Sequence, residues 1–224
     1  MRPLLLCAVL CMPLLAASDA PAKRLNESAA VLQDIMSAPD KGIPHDLIEK
    51  AHCIVIIPAL KKGAFVIGGE YGKGFMSCRR ENGNWSAPAA VRMEGGSVGF
   101  QIGGSDTDVV MLVMNARGED KLLSSQFTLG AEGEVAAGPV GRTSSADTDA
   151  LMTAEVLSWS RSKGLFAGIS LKGATLRQDT EDNQALYGRK IDNREIVTSG
   201  IAPPPAATRL LGLLGRYPSH MTRG

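Results

Sequence analysis

Aromatic residues are scarce in this sequence, and a net charge is almost absent. Phenylalanine, tyrosine and tryptophan together make up 4% of the 224 residues, and the formal net charge at pH 7 is +1. A balanced charge gives no general attraction for nucleic acid, so we expect no nucleic-acid partner. Hydrophobic residues at 44% and charged residues at 21% are ordinary for a globular protein, and the length fits one domain.

Motifs for catalysis and nucleotide binding are also missing. None of the three histidines lies near a Gly-x-Ser-x-Gly turn, so no base is placed to activate a serine. The glycine-rich residues 68–74 depart from a phosphate-binding loop, because Ile67 stands where its first glycine belongs and Gly74 follows Lys73. We expect a glycine-rich strand turn there, and we predict no catalytic residue and no cofactor.

Metal-ligating residues lack the spacing of known metal motifs. No Cys-x-x-Cys or His-x-x-x-His pattern connects the candidates, which are His45, His52, Cys53, Cys78 and His220. Asp106 with Asp108, and Asp147 with Asp149, are read as acid pairs, as calcium ligands or, more simply, as turn-forming aspartates in solvent. The sequence therefore predicts no metal site.

The longest apolar run is too short to cross a membrane. It covers residues 4–15, whereas a spanning helix needs about 20 residues. Arg2 precedes the run and small residues follow it at positions 16–22, which is the order of a secretory signal peptide. We predict a signal peptide over residues 1–22, and hence a periplasmic or secreted protein that is peripheral at the membrane.

Two of the four cysteines follow the predicted signal peptide. In an oxidising compartment Cys53 and Cys78 are candidates for a disulfide. Alternatively, Cys53 is a small buried hydrophobe within the apolar residues 53–57. The sequence leaves both readings open.

Periodicity predicts one α+β domain, glycine-rich and mainly antiparallel β, with an N-terminal amphipathic helix and a few short peripheral helices. Further helices are predicted at residues 44–51, 116–124 and 181–187. Strands are predicted at residues 53–57, 64–67, 75–79, 97–102, 108–114, 127–141, 152–160, 165–171 and 174–177. We assign residues 23–200 to the domain and residues 201–224 to a proline-rich linker and a short amphipathic tail.

Residues 57–74, Ile-Pro-Ala-Leu-Lys-Lys-Gly-Ala-Phe-Val-Ile-Gly-Gly-Glu-Tyr-Gly-Lys-Gly, resemble the signature of the SYLF domain family. Further blocks agree in family order, at residues 97–103, 121–142 and 158–171 and at Tyr187-Gly188. The resemblance implies a non-enzymatic lipid-binding module. Eukaryotic relatives are known for binding phosphoinositides through an amphipathic N-terminal helix and neighbouring basic residues, and some of them associate with actin.

Export changes which ligand is expected. Actin is absent outside the cytoplasm, so we do not expect it as a partner of an exported protein. An anionic phospholipid or membrane surface is the better expectation, for example phosphatidylglycerol, cardiolipin or a lipidic envelope component.

Two groups of residues are predicted to contact lipid. The helix at residues 23–38 carries Lys23 and Arg24 at its start and an apolar face of Leu25, Leu32, Ile35 and Met36, which either enters the headgroup boundary or packs on the domain's own sheet. Lys61 and Lys62, in a predicted turn, form a basic rim together with Lys73. Arg79 and Arg80 lie near these hairpins and are expected to be solvated turn residues.

A protein partner, still unidentified, is the alternative to lipid. In that reading the protein is a structural or interaction module of the envelope, and residues 208–217 dock on the partner. The leucines of this tail equally suit a cap on the domain's own core; they are Leu210, Leu211, Leu213 and Leu214.

Overall fold

The computed structural model describes residues 19–38, 42–64, 68–97, 105–140, 153–162 and 164–219. Over these residues the protein is α+β, as predicted, with one curled and mostly antiparallel sheet, an N-terminal helix and several short helices. The helices are α1 (Asp19–Ser37), α2 (His45–Lys50), α3 (Ala116–Leu122), α4 (Thr180–Tyr187), α5 (Asn193–Thr198) and α6 (Thr208–Leu214). The strands are β1 (Cys53–Ala64), β2 (Gly68–Cys78), β3 (Ala89–Ser97), β4 (Ser105–Val113), β5 (Gln126–Thr128), β6 (Val135–Ala137), β7 (Val156–Ser162), β8 (Leu165–Gly168) and β9 (Thr175–Gln178).

The strand order in the sheet is β5-β9-β3-β2-β1-β4-β7-β6, and β8 also pairs with β7. Neighbouring strands pair antiparallel, except that β6 pairs parallel with β7. Of the long central strands, β2 is rich in glycine, whereas β1 and β4 carry continuous apolar runs at residues 53–57 and 109–113, which suit a sheet covered on both faces.

Helix α1 covers one face of this sheet, which we call the α1 face. Proline at position 21 suits the first turn of a helix, where its missing N–H costs little, and the helix ends before Pro39. The apolar side of α1 packs on β1 side chains such as Ile54 and Ile56, and α6 packs beside it. The opposite face, with Val55 and Ile57, is covered by α3, α5 and the connecting segments.

Most predicted elements are confirmed, but the hairpin of β1 and β2 differs from the prediction. The Lys-Lys-Gly sequence was expected to be a turn and residues 64–67 a separate strand. Instead, β1 runs through both lysines to Ala64. Strand β3 was not predicted over most of its length, and the predicted strand at 97–102 lies outside the described residues after Ser97.

The predicted signal peptide falls largely outside the described residues, which begin at Asp19. Helix α1 starts there, within the last residues of the predicted signal peptide. Among the described helices, none combines the length and the apolar character needed to cross a bilayer.

Candidate functional site

A row of exposed side chains crosses the α1 face at one end of the sheet. Glu94 of β3, Tyr71 of β2, Lys61 of β1 and Asp106 of β4 lie opposite one another in register. Lys61 is exposed, and Tyr71 is 47% exposed. This is the end of the sheet at which β1 ends and β4 begins, and we call it the loop end.

The turn between β7 and β8 lies at the same loop end. Arg161 of β7 pairs with Asp108 of β4, and Ser162 then pairs with Leu165 at the start of β8. Leu165 is 61% exposed, a high value for a leucine. The loop end therefore presents Tyr71 and Lys61 on the α1 face, beside two acidic side chains, Glu94 and Asp106. It also presents Leu165, which points to the opposite face because the neighbouring Phe166 packs in the core on the α1 face.

A β-bulge in β1 decides which way Lys61 points. The pairing register of β1 shifts by one residue against both neighbours between Ile57 and Leu60. Ala59 takes a positive φ of 50°, and its N–H donates to Asp108 Oδ1 over 3.0 Å. Because the extra residue reverses the alternation, Leu60 enters the core and Lys61 joins Tyr71 on the α1 face.

Glycine at position 74 is required by this bulge. A Cβ atom there would lie 1.9 Å from the carbonyl oxygen of Ile56 and 2.8 Å from Cα of Ile57. No side chain fits at such distances, so the glycine-rich segment accommodates the close approach of β1. It is a strand of the sheet, not the strand turn that the sequence suggested.

Two of the predicted lipid-binding cations are held in an ion-pair cluster instead. Arg24 of α1 pairs with Asp182 of α4. Lys73 of β2 lies 2.7 Å from Asp179 and 3.3 Å from Asp182. Burial by itself lowers the pKa of Lys73, but hydrogen bonds and charge from Asp179 and Asp182 outweigh it and raise the pKa above its ordinary value. We call this the α1–α4 cluster; it fixes the start of α1 on the sheet.

The apolar face of α1 belongs to the core. Leu25 and Ile35 have no exposed surface, Leu32 is 1% exposed, and Met36 packs half-buried against the same cluster. Each fully buried aliphatic side chain contributes about 1.5–3 kcal/mol. In the structure, the apolar face of α1 packs on the domain's own sheet, which is one of the two alternatives that the sequence left open. Contact of these residues with lipid headgroups would therefore require α1 to leave the core.

The remaining predicted cations are distributed as follows. Lys23 is exposed on α1 and pairs with Glu27 over 3.8 Å. Lys62 lies beside Lys61 in β1, opposite Glu70 and Ser105 in register. Of the predicted basic rim, Lys61 is exposed, and Lys73 pairs with Asp179 and Asp182.

Arg79 and the C-terminal tail lie at the other end of β2. Arg79 is 3% exposed and is not the solvated turn residue that was expected. The tail is likewise internal, since Leu210 is 2% exposed and Leu214 is fully buried against α1 and its neighbours. Leu210 and Leu214 thus cap the domain's own core, and Leu211 and Leu213 are half-buried against the same cluster.

A second polar group lies next to the two cysteines. Cys53 and Cys78 are directly opposite each other on β1 and β2 and form a disulfide. His52 Nδ1 lies 2.9 Å from Glu119 Oε2 of α3, and both side chains are 15% exposed. Sequence spacing missed this group, because Glu119 is 67 residues from His52 in the chain.

The model of the Ysc84 family, described as "Las17-binding protein actin regulator", matches residues 94–217. The chain belongs to this family. The resemblance to the SYLF signature is thereby confirmed. The match begins in β3 and continues through the end of α6, so it includes most of the sheet and the C-terminal helix.

Curated Ysc84-family relatives align with about four-fifths of this chain. LAS seventeen-binding protein 3 of Saccharomyces cerevisiae is 37% identical over 179 residues, which cover 78% of this chain and 39% of that protein. SH3 domain-containing YSC84-like protein 1 of Xenopus laevis is 34% identical over 183 residues, which cover 81% of this chain and 54% of that protein. The chain thus spans about half or less of these relatives' lengths, and their names describe binding and SH3-domain proteins.

Neutralising Asp182 is expected to loosen the start of α1. Asp182→Asn removes the shared partner of Arg24 and Lys73, whose side chains are only 20% and 24% exposed. We expect a loss of about 1–2 kcal/mol in the free energy of unfolding, measured by urea denaturation. Glu181→Gln, at the adjacent exposed position, is the matched control and should change it by no more than about 0.5 kcal/mol. Equal losses in the two variants would show that the α1–α4 cluster does not stabilise the fold.

Proposed function

We propose that this protein is a non-enzymatic lipid-binding protein that attaches reversibly to anionic phospholipid surfaces through its loop end. The observation that carries the proposal is the exposure of Tyr71, Leu165 and Lys61 at that one end. Apolar side chains that enter the headgroup region and a basic side chain that meets anionic lipid act together in peripheral binding.

The proposed contact differs from a helix that inserts into the bilayer. Leu25, Leu32 and Ile35 already stabilise the core, so their release would cost several kcal/mol before any lipid contact formed. Arg24 and Lys73 already pair with carboxylates. The loop end, by contrast, offers its side chains without rearrangement of the sheet.

Export to the periplasm or beyond, as predicted from the apolar leader, is part of the proposal. The disulfide between Cys53 and Cys78 supports it, because such bonds persist in oxidising compartments. There the accessible ligand is the anionic lipid of a membrane surface.

Flotation with vesicles tests the lipid proposal. We expect residues 23–224 to float with vesicles of phosphatidylglycerol in phosphatidylcholine at low salt and to be released at high salt. Lys61→Glu should weaken partitioning roughly 30-fold, because it removes one attraction and adds one repulsion of about 1 kcal/mol each. Leu165→Ser should also weaken it, without removing the salt dependence.

Lys190→Glu is the matched control for charge. Lys190 is exposed and lies just after α4, away from the loop end. The last residue of α4, Tyr187, donates its hydroxyl hydrogen to the carbonyl oxygen of Pro88, which precedes β3 at the end of the sheet opposite the loop end. This variant has the same change of charge and should float like the wild type. If the wild type ignores anionic vesicles even at low salt, or if both lysine variants lose binding equally, the loop end is not a lipid-binding surface.

A protein partner is the second candidate, and the family's description supports it. The Saccharomyces cerevisiae relative is named as a LAS seventeen-binding protein, and the family is described as "Las17-binding protein actin regulator". Cosedimentation with actin filaments distinguishes the candidates: sedimentation of this chain with filaments, without flotation on vesicles, would favour a protein partner.

A further inference from the structure

We propose that reduction of the Cys53–Cys78 disulfide opens a binding site for a soft divalent cation such as Zn²⁺. The ligands are the two thiolates and the carboxylate of Glu119, and His52 orients that carboxylate. This inference is independent of lipid binding, since the group lies at the end of β1 that is remote from the loop end.

The geometry brings three ligand atoms together. The Sγ atoms of Cys53 and Cys78 and a carboxylate oxygen of Glu119 all lie within 4.8 Å of one another. The cysteines belong to neighbouring strands, and Glu119 comes from the first turn of α3, where Asn115 caps the helix through the N–H of Gly118. A sheet and a capped helix therefore fix the positions of the three groups.

His52 stands behind Glu119 as a positioning residue. Its Nδ1 lies 2.9 Å from Glu119 Oε2, and an ionised carboxylate only accepts, so Nδ1 carries the proton of this bond. In metal sites, the residues that bind the metal are usually oriented by hydrogen bonds from residues behind them, and His52 has that position here. His52 and Glu119 are the partly exposed members of this group, whereas both cysteines are fully buried.

The oxidation state of the cysteines determines whether the site exists. Two molecules of a thiol reductant, R–SH, convert the disulfide into two cysteine thiols and leave as R–S–S–R, so two electrons and two protons pass to the protein. Binding of the cation then releases the two thiol protons. Opposite residues on neighbouring strands have Cβ atoms about 4.5–5.5 Å apart when unlinked, which suits two sulfur atoms at about 2.3 Å from one Zn²⁺.

The negative charge of the reduced cysteines and Glu119 favours binding of a soft cation. Cys53 and Cys78 are fully buried, so free thiolates beside a carboxylate would be strongly disfavoured. A divalent cation neutralises two of the three negative charges, and sulfur ligands select zinc-like ions over magnesium or calcium. Three protein ligands leave a fourth position for water.

Titration with Co²⁺ as a spectroscopic probe tests the site. The full chain is reduced with a phosphine, which does not compete as a thiol would, and Co²⁺ is added without oxygen. We expect one equivalent to give thiolate-to-metal absorption that Zn²⁺ abolishes. The disulfide form and the Cys53→Ala/Cys78→Ala variant should give none.

Two variants distinguish a site that includes Glu119 and His52 from metal binding by the two thiols alone. Glu119→Gln and His52→Gln should each weaken Co²⁺ binding about 10- to 100-fold. Circular dichroism is recorded throughout, so that folding of the reduced protein is measured together with binding. The proposal is overturned if the reduced wild type gives no thiolate band, if Glu119→Gln binds as well as the wild type, or if the reduced protein is unfolded and Zn²⁺ does not refold it.

Discussion

Replacing Cys53 and Cys78 together by alanine is expected to lower the free energy of unfolding by about 3 kcal/mol. The bridge joins residues 25 apart in sequence, and closing a loop of that length restricts the unfolded chain by about this amount. Both side chains are fully buried, so loss of packing adds to the effect. Alanine is the proper substitute, because serine would bury a hydroxyl group. Urea denaturation under oxidising conditions gives the comparison.

Reduction of the wild type provides the control for this prediction. A reductant, with metal ions chelated, should destabilise the wild type by a similar amount and leave the alanine double variant unchanged. A loss below about 1 kcal/mol in both experiments would mean that the unfolded chain gains little freedom when the bridge is absent.

Local sequence signals were sufficient for the elements but not for the register of the sheet. The period of Leu25, Ala29 and Leu32 correctly placed α1. The predicted helix at 116–124 is helical from Ala116 to Leu122, and the one at 181–187 is helical throughout. The bulge at Ala59 was beyond such signals. The N–H of Ala59 donates to the carboxylate of Asp108, which is 49 residues away, so a contact distant in sequence holds the bulge through which the strand continues into Lys-Lys-Gly.

The same limit applies to the candidate site. Sequence reasoning selected lysines and arginines near hairpins, because unpaired cations are the groups that attract anionic lipid. Arg24 and Lys73 lie 158 and 109 residues from Asp182, so no local pattern shows that they are already paired. Tyr71 and Leu165 were missed for the converse reason: an apolar residue in a strand is normally assumed to be buried, and its exposure depends on which elements cover that end of the sheet.

Arg79 is the clearest case of a residue whose role depends on distant parts of the chain. An Arg-Arg pair beside a turn is typical of residues exposed on a protein surface. The guanidinium of Arg79 instead donates to three carbonyl oxygens, those of Gly83 (2.9 Å), Ile48 (3.4 Å) and Tyr217 (2.6 Å). It also lies 3.9 Å from the centre of the Trp85 ring. Burial lowers its pKa to about 10, against the opposing charge of Glu49, so it remains charged at neutral pH. One side chain thus joins α2, the β2–β3 turn and the segment after α6.

Arg79→Met is expected to lower the free energy of unfolding by about 3 kcal/mol, because three carbonyl groups lose a charged donor in a site that is 3% exposed. Arg79→Lys should lose somewhat less, since it keeps the charge but cannot reach three directions at once. Urea denaturation measures both.

Arg80→Met is the matched control for Arg79→Met. Arg80 is the adjacent residue, is half-buried and makes a weaker 3.4 Å bond to the carbonyl of Ile201, so we expect a loss below about 1 kcal/mol. Limited proteolysis gives a second measurement. The hydrogen bond from Arg79 to the carbonyl of Tyr217 anchors the segment after Leu214, so this segment should be cleaved faster only in the Arg79 variants. Equal stability of the Arg79 and Arg80 variants would show that the C-terminal segment is held by its leucines alone, and that the buried guanidinium contributes nothing beyond the cost of its own desolvation.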